Sequence, residues 1–219
     1  MKITKYVHSC LLFEQDGYQL LFDPGNYTFA DNAVHPGLFN EVDAIIVTHV
    51  HADHLDTGNL QKIISRSGAA IYTNTQVGDE LDKEDIPYNL MEEGEYELGP
   101  FKLKAFSLQH EPLLNSPLPQ MTGFIINDKV LHPVDSMEDM LTEHKNIELL
   151  LMVTMAPFAS EVQIANFAEK IQPKQIFPVH DGYAMPGFVK ARQKNYANYF
   201  AKMNIRFNEL YEPGSFVII

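Results

Sequence analysis

Cysteine is nearly absent: Cys10 is the only one in 219 residues. No internal disulfide can form, and no cysteine-rich zinc module can be built. Basic side chains are also scarce. Sixteen Lys and Arg face 29 Asp and Glu, a formal net charge of −13. The bare chain therefore repels polyanions, and nucleic acid is disfavoured as a substrate because phosphate binding draws on a basic face. No apolar run approaches the ~20 residues of a bilayer-spanning helix. Polar residues interrupt the opening MKITKYVHSCLLFEQDG where a secretory signal needs an apolar stretch. These absences point to a cytoplasmic protein with neither membrane nor nucleic acid as partner. A hydrophobic content of 45% still supports an ordinary packed core. The length, with no linker, repeat or low-complexity tract, predicts one domain over residues 1–219.

Short apolar strands come first. Cys10–Phe13 and Tyr18–Phe22 flank Asp16-Gly17, a hairpin signal, and Asp23-Pro24-Gly25 then turns the chain. Asp43–Thr48 is apolar without alternation, as in a strand buried on both faces. A helix follows, with Asp56 as cap, Leu60, Ile63 and Ile64 inward, and Gly68 as terminator. Ala69–Thr73 reads as a strand and Gln76–Leu81 as a short helix. The acid-rich stretch Asp79–Glu97 reads as a solvated rim. Strands are expected at Phe101–Leu108, Thr122–Asn127, Lys129–Leu131, Leu149–Val153, Gln175–Pro178 and Ser215–Ile219. Ser160 and Gln163 form a capping-box pattern before Ile164, Phe167, Ala168 and Ile171, and Pro173 closes that helix. A last helix is expected from about Phe188 to Met203, with Val189, Tyr196, Phe200 and Met203 inward. Elements mixed in this way suggest an α/β fold with helices on the outer faces of sheets.

Histidine, in contrast with cysteine, is concentrated. His49-Val50-His51-Ala52-Asp53-His54 follows directly on the apolar run Ala44–Thr48. Three imidazoles and a carboxylate at the end of a buried strand are the donors that divalent transition metals prefer. On an extended strand His49 and His51 point the same way, and the turn beyond lets Asp53 and His54 converge on the same space. Further donors must come from other strand ends. His110 follows Phe101–Leu108, Asp135 follows Lys129–Leu131, and His180 follows Ile176-Phe177-Pro178.

This series resembles the metallo-β-lactamase superfamily: His49-x-His51-x-Asp53-His54, then a lone His, a lone Asp and a lone His. The resemblance covers essentially the whole chain. The early His8-Ser9, Asp23-Pro24 and the closing Glu212-Pro213-Gly214 resemble a branch of small bacterial hydrolases that includes the ascorbate-6-phosphate lactonases. The resemblance implies an αββα sandwich, two mixed sheets flanked by helices, with a two-metal site at one edge. It assigns His49, His51 and His110 to one ion, Asp53, His54 and His180 to the other, and Asp135 as a bridge. Ions so arranged sit ~3.5–4 Å apart and share an activated hydroxide. Asp53 would be the catalytic residue, orienting that hydroxide and passing a proton to the leaving group. Two departures stand out: Val134 and Ser136 flank Asp135 where the family commonly has Gly and Thr. Val134 stands where a close backbone approach is usual.

Other residues have two readings each. His8 and Asp23 either support ligand residues through hydrogen bonds or serve a strand cap and a turn. His132 is expected behind the ligands or as a structural residue, and His35 and His144 at the surface. The Pro-rich segment Glu111–Gln120 is an extended loop after His110. Its Leu113, Leu114 and Leu118 form either an apolar wall over the site or a self-association surface that makes a homo-oligomer. Tyr27, Phe29 and Tyr183 are further rim candidates. The function expected is hydrolysis of a small-molecule ester, lactone or phosphoester with two divalent metal ions. Zinc is the default by donor type, manganese follows from the lactonase resemblance, and iron also suits the donors. The alternatives are an iron-dependent, persulfide-dioxygenase-like oxidoreductase and a non-catalytic metal-binding protein of the same fold.

Overall fold

The computed structural model describes residues 1–219. Fourteen strands form two seven-stranded sheets. The first contains β1 (Lys2–Lys5), β2 (Leu11–Gln15), β3 (Tyr18–Phe22), β4 (Ala44–Val47), β5 (Ala70–Thr73), β6 (Asn89–Leu90) and β14 (Ser215–Ile218), in the order β14-β1-β2-β3-β4-β5-β6. The second contains β7 (Gly94–Leu98), β8 (Phe101–Gln109), β9 (Gln120–Ile126), β10 (Val130–His132), β11 (Leu149–Val153), β12 (Gln175–Val179) and β13 (Arg206–Phe207), in the order β13-β12-β11-β10-β9-β8-β7. Both sheets are mixed. In the first, β14, β1, β2 and β3 pair antiparallel and β3 to β6 parallel. The second repeats the plan, antiparallel from β7 to β10 and parallel from β10 to β13.

Helices make the parallel crossovers. After the one-turn α1 (Asn26–Phe29), α2 (Thr57–Ser67) joins β4 to β5, and α3 (Thr75–Asp82) precedes β6. In the second half α4 (Glu161–Ile171) joins β11 to β12, and α5 (Pro186–Ala201) leads to β13. Asp56 caps α2 by accepting the Asn59 N–H, and Gly68 ends it in the left-handed region. Ser160 and Gln163 complete the capping box of α4.

Side-chain alternation decides what each strand faces. Leu20, Phe22, Ala44 and Ile46 join Phe101, Phe124, Leu131 and Leu150 in the core shared by the two sheets. Leu21, Ile45 and Val47 turn outward onto Leu60 and Ile63 of α2 and Val77 and Leu81 of α3. The αββα layering follows from that two-sided burial, and it carries the ends of β1, β3, β4, β8, β10 and β12 to one edge.

Three departures have local causes. Lys2–Lys5 forms a strand although only Ile3 is apolar. It is paired on both sides, and the buried Lys5 Nζ meets Asp181 Oδ2 at 2.5 Å. Within the acidic stretch, Gly94–Leu98 is an edge strand with Glu95 and Glu97 exposed and Leu98 buried, so part of the rim is sheet. Met203 lies beyond the end of α5 and is 37% exposed, not inward, because the helix stops at Ala201.

Candidate metal centre

The β4–α2 connection holds His49, His51, Asp53 and His54 in a tight turn in which the His54 N–H donates to His51 O. Gly25 allows another segment to press against it: a Cβ there would lie 1.9 Å from Asp53 O. His110 arrives from β8, Asp135 from β10 and His180 from β12. His49, His54, His110, Asp135 and His180 are all buried.

Two donor sets result. His49, His51, His110 and Asp135 each offer one atom within 4.8 Å of the others, and so do His8, Asp53, His54 and His180. Asp135 Oδ2 lies between the sets, 3.4 Å from Nε2 of His54, His110 and His180 and 3.7 Å from Nε2 of His49. Asp53 Oδ2 lies 3.4 Å from His180 Nε2 and 3.9 Å from His54 Nε2.

Hydrogen bonds behind the rings fix which nitrogen is free. His110 Nδ1 donates to Glu111 O and His180 Nδ1 to Met155 O, both at 2.6 Å. His54 Nδ1 donates to Asp23 Oδ2 at 2.8 Å. Thr48 Oγ1 donates to Asp23 Oδ2 and so accepts from His49 Nδ1. Asp23 Oδ1 also accepts the Thr48 N–H. Four imidazoles are thus held by Nδ1 with Nε2 aimed inward, the arrangement that metal-ligating histidines adopt. His51 presents its Nδ1, 3.1 Å from His49 Nε2. His54 Nε2 and Asp135 Oδ1 are buried with no hydrogen-bond partner, a state that is costly unless a cation completes it. The residues present fit one pair of divalent ions.

His8 takes a different part. Its Nδ1 accepts the Gly182 N–H at 2.9 Å, so Nε2 carries the proton and donates to Asp53 Oδ2 at 2.9 Å. A protonated nitrogen cannot ligate, so His8 holds Asp53 although it lies within the second set. His132 belongs to neither set. Its Nδ1 accepts the Val134 N–H, its Nε2 is unpaired, and its ring packs on Phe22.

Burial and neighbouring charges shift these groups in opposite directions. Burial pushes His49 well below the usual imidazole range, and the neighbouring His54 adds to that. Burial opposes protonation of His180 as well, yet Asp135 and Asp53 raise it to about 10. His54 is raised well above its usual value against the same burial cost, by Asp135 and Asp23. Asp135 is held well below the carboxylate range although burial opposes it, because His180 and His54 favour its charge. Cations and protons compete for this pocket.

Tyr27, Leu113, Ser116, Pro157, Phe158 and Tyr183 line a cavity of about 330 Å³ over His51, Asp53, His110, Asp135 and His180. Asp53 is 24% exposed and Asp135 only 2%, so Asp53 is the carboxylate open to a bound molecule. Phe29 and Leu118 do not reach this cavity, and Leu114 is fully exposed. His35 is exposed, while His144 is half-buried and stacks on Phe106. Sequence reasoning missed Thr48 and Phe158. Thr48 had a signal, its place between the strand and His49. Phe158 lies in an irregular segment with no periodicity to mark it.

Residues 2–180 match the family model of the β-lactamase superfamily domain. The chain is 31% identical over 193 residues to the UPF0173 protein of Pyrococcus furiosus, covering 83% of this chain and 84% of that protein. It is 28% identical over 193 residues to a UPF0173 metal-dependent hydrolase of Carboxydothermus hydrogenoformans, covering 82% and 84%. Among solved structures, a metallo hydrolase of the archaeon Ignicoccus hospitalis superposes with a TM-score of 0.71 at 17% identity, covering 99% of this chain and 97% of that one.

Proposed function

The chain belongs to the metallo-β-lactamase superfamily, among its small metal-dependent hydrolases, and on that premise we propose that it hydrolyses a small-molecule ester, lactone or phosphoester at a dinuclear centre. The protein acts as one domain over residues 1–219. His49, His51 and His110 would hold one ion and Asp53, His54 and His180 the other, with Asp135 placed to serve both. Zinc suits this mixture of imidazole and carboxylate, with manganese or iron as substitutes. Two such ions, when bound, supply a Lewis acid for the substrate oxygen and an acidified water near neutral pH.

The chain's own residues do the rest. Asp23 and the carbonyls of Glu111 and Met155 keep the imidazole lone pairs pointed inward. His8 occupies Asp53 Oδ2, leaving Oδ1 to orient the attacking water and carry its proton toward the leaving oxygen. Phe158 and Leu113 flank the opening above the donor sets. The observation that carries this reading is the position of Asp135 Oδ2, within 3.7 Å of one nitrogen from each of four histidines drawn from both sets.

Elemental analysis of metal-replete protein, followed by an ester, lactone and phosphodiester panel, tests it. Two ions per chain and turnover of at least one class are expected. Asp53→Ala should abolish most turnover and deplete mainly the second ion. Full activity in Asp53→Ala would end the water-orienting role, and a metal-loaded protein inert across the panel would end the hydrolase reading.

A further inference from the structure

The cavity over the donor sets has a one-sided chemistry. At about 330 Å³ it is at the small end of ligand pockets. Outside the donor sets its lining is aromatic or apolar apart from Ser116 and the phenol tips of Tyr27 and Tyr183. The Phe158 ring packs 5.3 Å from His110 and 5.8 Å from His180. Tyr27 and Tyr183 lie 6.1 Å apart and both pack on His8. No Lys or Arg lines the cavity. Three cations of β1 and α5 have partners outside it. Lys5 pairs with buried Asp181, Lys190 lies over Tyr211, and Arg192 lies over Phe188 and 3.6 Å from Glu161. A substrate's charged distal group would therefore find no cationic side chain here to pair with.

We propose that the substrate is an uncharged ester or lactone whose group flanking the scissile bond is a single aryl ring or short alkyl chain, seated against Tyr27, Leu113, Phe158 and Tyr183. This rests on the hydrolase reading above and narrows it: phosphorylated sugars and dicarboxylates are excluded as preferred substrates. The reaction forms a bond from a water oxygen to the acyl carbon and breaks the acyl C–O bond. One water proton goes to the departing oxygen, and no oxidant or reductant is needed. The binding energy comes from removing the ring or chain from water.

The test separates the apolar subsite from hydrolysis. Phenylacetohydroxamic acid and its 4-carboxy analogue share one metal-binding head and differ only in distal charge. Their dissociation constants are measured by titration calorimetry on metal-loaded protein at about 1 M salt, where the screening length is ~3 Å and general repulsion by the acidic chain is suppressed. The neutral probe should bind at least about tenfold tighter. Leu113→Arg should close that gap with metal content unchanged, and Phe158→Ala should weaken the neutral probe more than its 4-carboxy analogue and so narrow the gap. Equal or reversed affinities, or a gap untouched by both variants, would overturn the proposal. In parallel, 4-nitrophenyl butyrate should be turned over with a higher kcat/KM than 4-nitrophenyl hemisuccinate. Preference for the neutral hydroxamate with no ester or lactone turned over would sink the hydrolase reading and leave the apolar subsite standing. Turnover that favours the hemisuccinate would do the opposite.

Discussion

The two ends of the sandwich use left-handed backbone differently. At the end away from the donor sets, positive φ falls at Asp16, Gly17, Gly99, Asn127 and Asp128 between antiparallel strands, and at Asn146, Gln172 and Asn204 ahead of β11, β12 and β13. Most of these are residue types that tolerate the conformation. At the donor end it falls at Gly214 and, among residues with side chains, at His8 (φ 63°), Asp23 (φ 45°), Val134 (φ 54°) and His180 (φ 65°). Left-handed geometry costs an ordinary residue about 1–2 kcal/mol, and a β-branched residue such as Val134 is the least suited to it. The donor end keeps the strain because hydrogen bonds over-determine it. The Asp23 carboxylate accepts three, the His8 ring is fixed at both nitrogens, and the His180 N–H donates to His8 O. Turns at one end serve the chain's path; bends at the other serve where donor atoms point.

The largest expected effect breaks the donor end outright. Asp135→Ala removes the carboxylate oxygen that lies between the two sets and leaves four imidazoles facing one another. Replacing residues that merely orient a ligand typically costs 10–100-fold in metal affinity or activity. Loss of the shared oxygen should exceed roughly 100-fold on that scale, with both ions depleted. Elemental analysis reads the metal, and far-ultraviolet circular dichroism checks that the sheets remain. An Asp135→Ala protein that retained two ions would refute the shared role.

A smaller effect sharpens the comparison at His8. Asparagine tolerates the left-handed region, so His8→Asn keeps the backbone bend and deletes only the ring that holds Asp53. Turnover or affinity for the second ion should fall by about 10–100-fold, together with a lower Tm, because the buried ring also accepts the Gly182 N–H and packs on Tyr27. Unchanged metal retention and activity would make His8 a packing residue, as would a loss confined to Tm.

The donor end was the more legible in sequence. Chemistry-bearing residues cluster at His49–His54, and an apolar run announces the strand before them. His110, Asp135 and His180 each follow such a run, so strand-end position alone nominated them. The choice between two roles for His8 and Asp23 was not legible, because it depends on partners 45 and 31 residues away, Asp53 and His54. β1 escaped notice for a related reason. Its sequence has one apolar residue, and its buried lysine is explained by Asp181, 176 positions along the chain. Periodicity reports which face a residue buries on, and it is silent about long-range polar partners. Nor could it place Phe158, which sits on an irregular segment. The left-handed Val134 was anticipated only as crowding, from the family resemblance.

The smallest effect belongs to the far end. Gln172 is exposed and caps α4 in the left-handed region at φ 51°, with its N–H donating to Ala168 O. Glycine is the residue this cap favours. Gln172→Gly should relieve about 1–2 kcal/mol of backbone strain and return part of it through the greater freedom of glycine in the unfolded chain, about 0.4–1 kcal/mol. The net gain of roughly 0.5–1 kcal/mol corresponds to a Tm increase of about 1–4 °C for a chain of this size. Metal content and turnover should stay as they are. The same replacement at His8 relieves the same backbone but deletes the bond to Asp53, so it should weaken metal retention whatever it does to Tm. A thermal melt and a metal assay on both variants decide the matter. A lowered Tm in Gln172→Gly would remove the far end's strain from the comparison, and intact metal retention in His8→Gly would remove the functional meaning of strain at the donor end.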